Sequence, residues 1–352
     1  MSEGLSRYHR QMLLPGWGAE GQRRLAASTA VIVGCGALGC ASADLLARAG
    51  VGRLILIDRD LVEPTNLQRQ TLYSERDLDE PKAEAARRRL SEINSKITIE
   101  PRIADLSPAS VSVVAPELLS PAGPTVIVDG TDNTPTRYLL NDLAVRAGLA
   151  YAYAGVVATH GLQATFTPAH TASGACLRCV FEEPPAPGSL PTCDTAGVLG
   201  PAVAIVAGAQ AADVIKVLLG REDLLSRSLL EFDLWANRRT RLDLASARRD
   251  DCPCCGLRKF EFLSGERSEG PVVLCGQNAV QIAPAPGARI DLASLASSWA
   301  GLGEVKSSAW LVKFLPAGSA LSLTLFRDGR AIVHGTDKPD AARAFLARFV
   351  GA

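Results

Sequence analysis

Apolar and polar positions alternate along this chain in blocks that predict strands and helices in turn. Short apolar runs at 30–33, 54–57 and 126–128 read as buried strands, the last two ending at Asp58 and Asp129. Between them, the Ala/Leu-rich segment 37–49 and the Arg-rich segment 80–93 carry helical periodicity, and 134–147 predicts another helix. Segment 97–103 alternates as a strand does. Residues 1–28 read as helical with a break at Pro15-Gly16. Strands and helices alternating at this spacing build βαβ units and a mainly parallel sheet. Further on, β-like runs occupy 151–157 and 161–167, followed by a Pro/Gly-rich loop at 183–191. A helix rich in Ala and Val covers about 197–219, and two more strands cover 228–234 and 238–244.

The pattern changes after residue 256. Segment 256–271 is charged, holds Gly265 and Gly270 and has no sustained period, so it reads as a linker. Residues 272–352 then predict a separate small module: short strands, a helix near 291–300, strands through 333 and a closing helix at 340–350. The expectation is therefore an α/β, Rossmann-like domain over 1–256 and a C-terminal α+β module over 272–352.

Composition narrows the function. Hydrophobic residues make up 47% of 352, enough for a sizeable core, and 37 Lys+Arg against 37 Asp+Glu leave no basic excess for general nucleic-acid binding. No apolar run approaching the ~18 residues that span a bilayer stands out. The opening MSEGLSRYHRQ lacks the apolar core of a signal peptide, so a cytoplasmic protein with no membrane partner is expected. Nine cysteines in a reducing compartment call for an explanation other than disulfides.

Gly34-Cys-Gly-Ala-Leu-Gly39 fits G-x-G-x-x-G between a strand and a helix. Such a turn lets backbone N–H groups and a helix N-terminus meet a nucleotide's phosphates. Asp58, some twenty positions on, stands where a carboxylate binds ribose hydroxyls. Taken alone the turn suggests an NAD(P)-dependent oxidoreductase. Four further segments are unusual for one: RYHRQ at 7–11, NLQRQ at 66–70, Lys82 after Pro81, and Thr131-Asp132-Asn133 after the 126–128 strand. A parallel sheet gathers strand ends on one edge. Asp58, Asn66, Arg69, Lys82 and Asp132 are thus expected around one nucleotide. Several cations suit nucleotidyl transfer, where charge builds on phosphate, better than hydride transfer. Singly, Arg69, Lys82 and Arg10 are also what ordinary surface charges look like.

Two short cysteine pairs, Cys176-Leu-Arg-Cys179 and Cys252-Pro-Cys-Cys255, have zinc-knuckle spacing. A closed four-thiolate Zn²⁺ site would be structural, with Cys254 an alternative to Cys255. Cys193, in Pro191-Thr-Cys-Asp-Thr-Ala-Gly197, follows the Pro-rich loop and is a candidate nucleophile or a plain loop residue. Cys35 and Cys40 read as packing residues, Cys275 as buried, and His9, His160, His170 and His334 show no metal or triad spacing.

RYHRQ, GCGALGC, LIDRD, NLQRQ, PKAEAAR and TDN, in this order over about residues 5–256, resemble the MoeB/ThiF adenylyltransferases, relatives of the ubiquitin-activating enzymes. The resemblance implies ATP-dependent adenylylation of the C-terminal Gly-Gly carboxylate of a small ubiquitin-like sulfur-carrier protein. It implies that Gly34, Gly36, Ala37 and Gly39 cradle ATP and that Asp58 takes its ribose. Asn66, Arg69 and Lys82 would grip the triphosphate, and Asp132 with Asn133 would serve Mg²⁺. Arg10 would reach into the partner's site of a homodimer. It also links Cys193 to acyl or persulfide transfer, with a sulfur donor protein as a further partner. Ala37 departs from the glycine common in the family and narrows the pocket slightly. Residues 272–352 lie outside this resemblance and form a module of unknown role, with binding of the carrier or another partner one role open to it. The rival readings are the NAD(P) oxidoreductase and a non-catalytic zinc scaffold that binds a ubiquitin-like protein.

Overall fold

The computed structural model describes residues 3–167, 174–186, 189, 191, 193–267, 272–274, 278–282 and 288–350. His170 and Cys275, and part of the Pro/Gly-rich loop, lie outside the described residues. The chain forms two compact units, Met1–Ser268 and Glu269–Ala352.

The first unit is built on an eight-stranded sheet in the order β3-β2-β1-β4-β5-β6-β7-β8. Its strands are β1 Thr29–Val33, β2 Arg53–Ile57, β3 Thr98–Arg102, β4 Thr125–Asp129, β5 Ala150–Val157, β6 His160–Phe166, β7 Ser228–Asp233 and β8 Arg238–Asp243. The pairings from β3 to β5 are parallel, and those from β5 to β8 antiparallel. β1, β2 and β4 are apolar on both faces because helices cover both faces of the sheet, as parallel strands require. Those helices are α1 Gly18–Ala26, α2 Ala37–Ala49, α3 Lys82–Ile93, α4 Thr134–Ala147 and α5 Gly200–Leu218. One core packs Ile32, Leu54, Leu56 and Val126 against Leu46 of α2 and Leu90 of α3. The opposite core packs Val31, Ile55 and Ile127 against Leu139, Leu140 and Leu143 of α4.

Two differences from the sequence reading concern this unit. α5 is long and apolar enough to cross a membrane by length and composition, although no such run was expected; half of it is buried inside the protein. Val203, Val206 and Ala207 pack with Leu38 and Ala154, and Gln210 on the same helix donates to the carbonyls of Asp129 and Ala152, each at 2.8 Å. The 256–271 segment is also not a plain linker. Its Glu261–Ser264 turn belongs to the first unit, with Phe262 buried against Tyr138 at a ring separation of 4.9 Å. Asp142 Oδ2 accepts from the Phe262 and Leu263 N–H groups at 3.0 and 3.2 Å. One short turn anchored by one aromatic leaves no periodicity to read.

The second unit is a six-stranded antiparallel sheet, β11-β12-β13-β14-β10-β9. Its strands are β9 Val272–Leu274, β10 Ala279–Ile282, β11 Gly303–Ser307, β12 Leu311–Pro316, β13 Ser322–Phe326 and β14 Ala331–His334. Helices α6 Leu292–Trp299 and α7 Pro339–Val350 complete its core, where Trp299 stacks on Phe314 at 4.7 Å.

Candidate active site at the carboxyl edge of the sheet

β1, β2 and β4 end side by side, and the loops that leave them are laced together. Gly34 N–H donates to Ile57 carbonyl and Gly130 N–H to Val33 carbonyl, both at 2.8 Å. Three glycines interlock there. Gly34 has φ +87°, and a Cβ on Gly39 would stand 1.9 Å from the Gly34 carbonyl oxygen. A Cβ on Gly130 would stand 2.3 Å from that same oxygen. Gly36 differs: its nearest neighbours would be 3.8 Å away, and it caps α2 without any side-chain acceptor, leaving the first helical N–H groups to meet a ligand. Ala37 opens α2, half-buried against the Leu38–Val203 cluster.

Asp58 closes β2 and supports this turn from below. Its Oδ2 accepts from Cys35 N–H at 2.6 Å and its Oδ1 from Asp60 N–H at 2.7 Å. Burial pushes its carboxyl up to about 6, against the nearby Lys82 ammonium, with Asp60 adding to the rise. Lys82 is buried at the start of α3, its Nζ 3.4 Å from Asp60 Oδ2. Burial works against the Lys82 ammonium, yet its pKa is raised, by Asp60 first, then by Asp58 and Asp132. Asp58, Lys82 and Asp132 therefore share one electrostatic neighbourhood beside the glycine turn. Tyr73 joins the turn to α3: its hydroxyl lies 2.8 Å from the Cys35 carbonyl oxygen and 3.1 Å from that of Lys82.

Asp132 is exposed between two anchored neighbours. Thr131 donates through N–H and Oγ1 to Asp129 Oδ1 at 2.9 and 2.7 Å, and Asn133 Oδ1 caps α4 by accepting from Thr136 N–H at 2.9 Å. Asp129 is fully buried, which raises its pKa. It is held by the Tyr151 hydroxyl at 2.6 Å, with Arg137 Nε 3.6 Å away. Arg137 in turn donates to the Thr131 carbonyl at 2.7 Å. Asp129, Arg137, Tyr151 and Tyr73 were missed by sequence reasoning. Asp129 carried a faint signal as a strand-end acid; the others become visible only once strands and helices are paired.

The NLQRQ segment lies against the same turn through Gln70, whose amide nitrogen would be 3.9 Å from a Cβ on Gly36 and whose Oε1 is buried without a hydrogen-bond partner. Asn66 is buried, but its Oδ1 accepts from Glu63 N–H at 3.1 Å as a local cap. Arg69 is half-exposed and donates to the Thr65 carbonyl at 2.7 Å; among the described residues no hydrogen bond ties it to Lys82 or Asp132. Arg10 is not brought to this edge at all. It is exposed on the His9–Met12 turn, where its neighbour Gln11 donates to the Ala49 carbonyl at the far end of α2. Helix length, ~1.5 Å per residue, separates that end from the glycine turn. Cys193 opens the Cys193–Ala196 turn and lies half-buried with its Sγ 3.5 Å from the Val156 carbonyl oxygen of β5.

A second constellation sits beside α4. The sulfurs of Cys176, Cys179, Cys252 and Cys255 lie within 4.8 Å of one another, with neighbouring pairs at 3.4, 3.7 and 4.0 Å. A tetrahedral zinc at roughly 2.3 Å from each sulfur sets sulfur–sulfur edges of about 3.8 Å, so four thiolates in this arrangement fit the ion. Cys254 is outside the group, which decides between Cys254 and Cys255; its Sγ accepts from Asn141 Nδ2 at 3.3 Å, and that same nitrogen lies 3.8 Å from Cys176 Sγ. Asn141 also takes the Leu177 N–H at 2.8 Å, tying the first knuckle to α4. Among the described residues no histidine enters a metal-like group.

Comparison with known proteins agrees with this geometry. Residues 8–254 match the family model described as ThiF family. The chain is 41% identical over 348 residues to a Bacillus subtilis protein named sulfur carrier protein ThiS adenylyltransferase, covering 98% of this chain and 99% of that one. That similarity includes the second unit. A Thermus thermophilus protein named sulfur carrier protein adenylyltransferase is 42% identical, covering 72% of this chain and 92% of its own. Among solved structures, Escherichia coli MccB with ATP superposes with a TM-score of 0.59 at 26% identity, covering 71% of this chain and 74% of that one.

Proposed function

The chain belongs to the ThiF family, and from that premise we propose that it is an ATP-dependent adenylyltransferase for a small ubiquitin-like sulfur-carrier protein. The carrier's C-terminal Gly-Gly carboxylate attacks the α-phosphorus of ATP, the α–β phosphate bond breaks, and an acyl adenylate and pyrophosphate result. No general base is required, because the carboxylate is ionised at neutral pH. The enzyme contributes charge and positioning.

The observation that carries this reading is the buried Lys82 ammonium beside Asp58, Asp60 and Asp132 at the glycine turn. A triphosphate brings more negative charge to a cation held there than the pyrophosphate of a dinucleotide does, and that charge grows as pyrophosphate leaves. In this assignment Gly34, Gly36, Ala37 and Gly39 border the phosphates and Asp58 holds the ribose. Asn66, Arg69 and Lys82 take the triphosphate. Arg69 must leave the Thr65 carbonyl to do so. Asp132, aided by Asn133, offers the carboxylate oxygens that suit Mg²⁺, which would neutralise phosphate charge when bound. Arg10, remote from its own protomer's site, serves the partner's site in a homodimer. Cys193 is the acceptor either for the activated acyl group, its thiolate displacing AMP to form a thioester, or for sulfane sulfur passed from the persulfide of a donor protein, whose own thiolate leaves. The four thiolates hold a structural Zn²⁺. Among the described residues no two cysteines form a disulfide, which suits a cytoplasmic enzyme.

The test is carrier-dependent ATP–pyrophosphate exchange by wild type and Asp132→Ala. A fall of about 10²-fold or more is expected, the size seen when a transition-state charge partner is removed. Exchange at the wild-type rate removes Asp132 from the mechanism, and absence of exchange in the wild type with ThiS-like carriers removes the function.

A further inference from the structure

Asp60 has no role in the assignment above, yet it is built into the lysine. The chain at 60–62 runs antiparallel to 80–82. Lys82 N–H donates to the Asp60 carbonyl and Val62 N–H to the Glu80 carbonyl, both at 2.9 Å, with Leu61 facing Pro81 between them. The side chains repeat the tie at 3.4 Å between Nζ and Oδ2. Asp60 N–H is itself held by Asp58 Oδ1, so the two carboxylates keep a fixed spacing around the ammonium.

The two partners of Lys82 differ in what they can give up. Asp58 is buried and already occupied by two backbone N–H groups. Asp60 is 52% exposed at its side chain, against 10% for Lys82, with Arg59 3.7 Å away on its other side. A buried ammonium left without an anion is costly, so something must face it before nucleotide arrives. An exposed carboxylate is the partner that water takes back cheaply when a phosphate displaces it.

We propose that Asp60 is the resident counter-ion of Lys82, exchanged for nucleotide phosphate when ATP binds, so that it positions the lysine in the empty enzyme and competes with phosphate for it. This rests on Lys82 gripping the triphosphate. Asp60 is a positioning residue: it acts through Lys82, and its effect must scale with the number of phosphates on the ligand.

The experiment is isothermal titration of the full-length chain with adenosine, AMP and ATP, with and without Mg²⁺, for wild type, Asp60→Asn and Lys82→Met. Asn keeps the size and the backbone ladder and removes one negative charge. ATP affinity of Asp60→Asn should rise about tenfold, AMP affinity less, and adenosine affinity not at all, in line with a single charge acting across a partly solvated gap. An equal change for all three ligands marks a merely structural residue and overturns the proposal. So does weaker binding of ATP in the presence of Mg²⁺ alone, which marks a metal ligand. If Lys82→Met binds ATP as tightly as wild type, the triphosphate assignment itself fails. If Lys82→Met weakens ATP while Asp60→Asn leaves the ATP-to-adenosine ratio unchanged, only the counter-ion proposal fails.

Discussion

Substituting alanine at Gly39 and at Gly36 separates the glycine that the fold requires from the one that the ligand requires. A Cβ on Gly39 would lie 1.9 Å from the Gly34 carbonyl oxygen, and real Cβ atoms do not come closer than 3.0 Å, so the turn and α2 must part by about 1.1 Å. Gly34 cannot retreat freely, because its carbonyl already abuts Gly130. Overpacking of this kind costs about 1–3 kcal/mol. Alanine returns ~0.5–1 kcal/mol of helix propensity, since Gly39 is inside α2. The net is a loss of roughly 1–2 kcal/mol, which for a unit of this size lowers Tm by about 5 °C. Gly36→Ala meets nothing nearer than 3.8 Å, and φ −74° is outside the left-handed region that favours glycine. Tm should hold or rise by a degree or two, from the ~0.4–1 kcal/mol of restricted unfolded chain. Its methyl group would still occupy the approach to the α2 N-terminus, and ATP affinity should fall about tenfold or more, as a displacement near 1 Å does. Thermal denaturation without nucleotide, paired with ATP titration, reads both effects. If Gly36→Ala melts as early as Gly39→Ala, or Gly39→Ala melts with wild type, the steric reasoning is wrong.

Replacing Cys255 with Ser should abolish the bound zinc, read by metal analysis of the purified chain, and cost a fraction of the roughly 10–16 kcal/mol that structural zinc supplies in small peptides. Cys254→Ser should keep one zinc per chain, because the Cys254 sulfur is not among the four that gather. Asp58, raised to about 6 by burial, should lose its acceptor character as pH falls through that value, so adenosine affinity measured between pH 5 and 7.5 should decline on the acid side. The linkage has the opposite sign for folding. The folded carboxyl binds a proton that the unfolded one has released, so this group's contribution to stability falls as pH rises through about 6.

Much of the site was legible without tertiary information. Gly34 to Gly39 announce themselves because a strand, a glycine turn and a helix are contiguous in the chain, and α2 begins and ends where its apolar period does. Asp58 and Lys82 could be placed because parallel strands deliver their loops to one edge. The cysteine pairs were legible because ligand spacing within a knuckle is local.

What only tertiary structure decided involves groups whose partners lie far off in sequence. Asp129 finds Tyr151 and Arg137 only after β4 pairs with β5 and α4 folds back beneath them. Cys255 is preferred to Cys254 because the fold gathers its sulfur with those of Cys176 and Cys179, more than seventy positions earlier, and leaves that of Cys254 outside. Phe262 is core and not linker because Tyr138 and Asp142 wait for it. α5 lies against the sheet because Val203, Val206 and Ala207 meet Leu38 and Ala154, while Ile205 on the same helix stays exposed. Arg10 stands at the opposite end of α2 from the glycine turn, a fact no local pattern contains. Local sequence sets backbone preference and period. Which charge faces which is set by long-range packing, where burial removes water and makes each pairing matter.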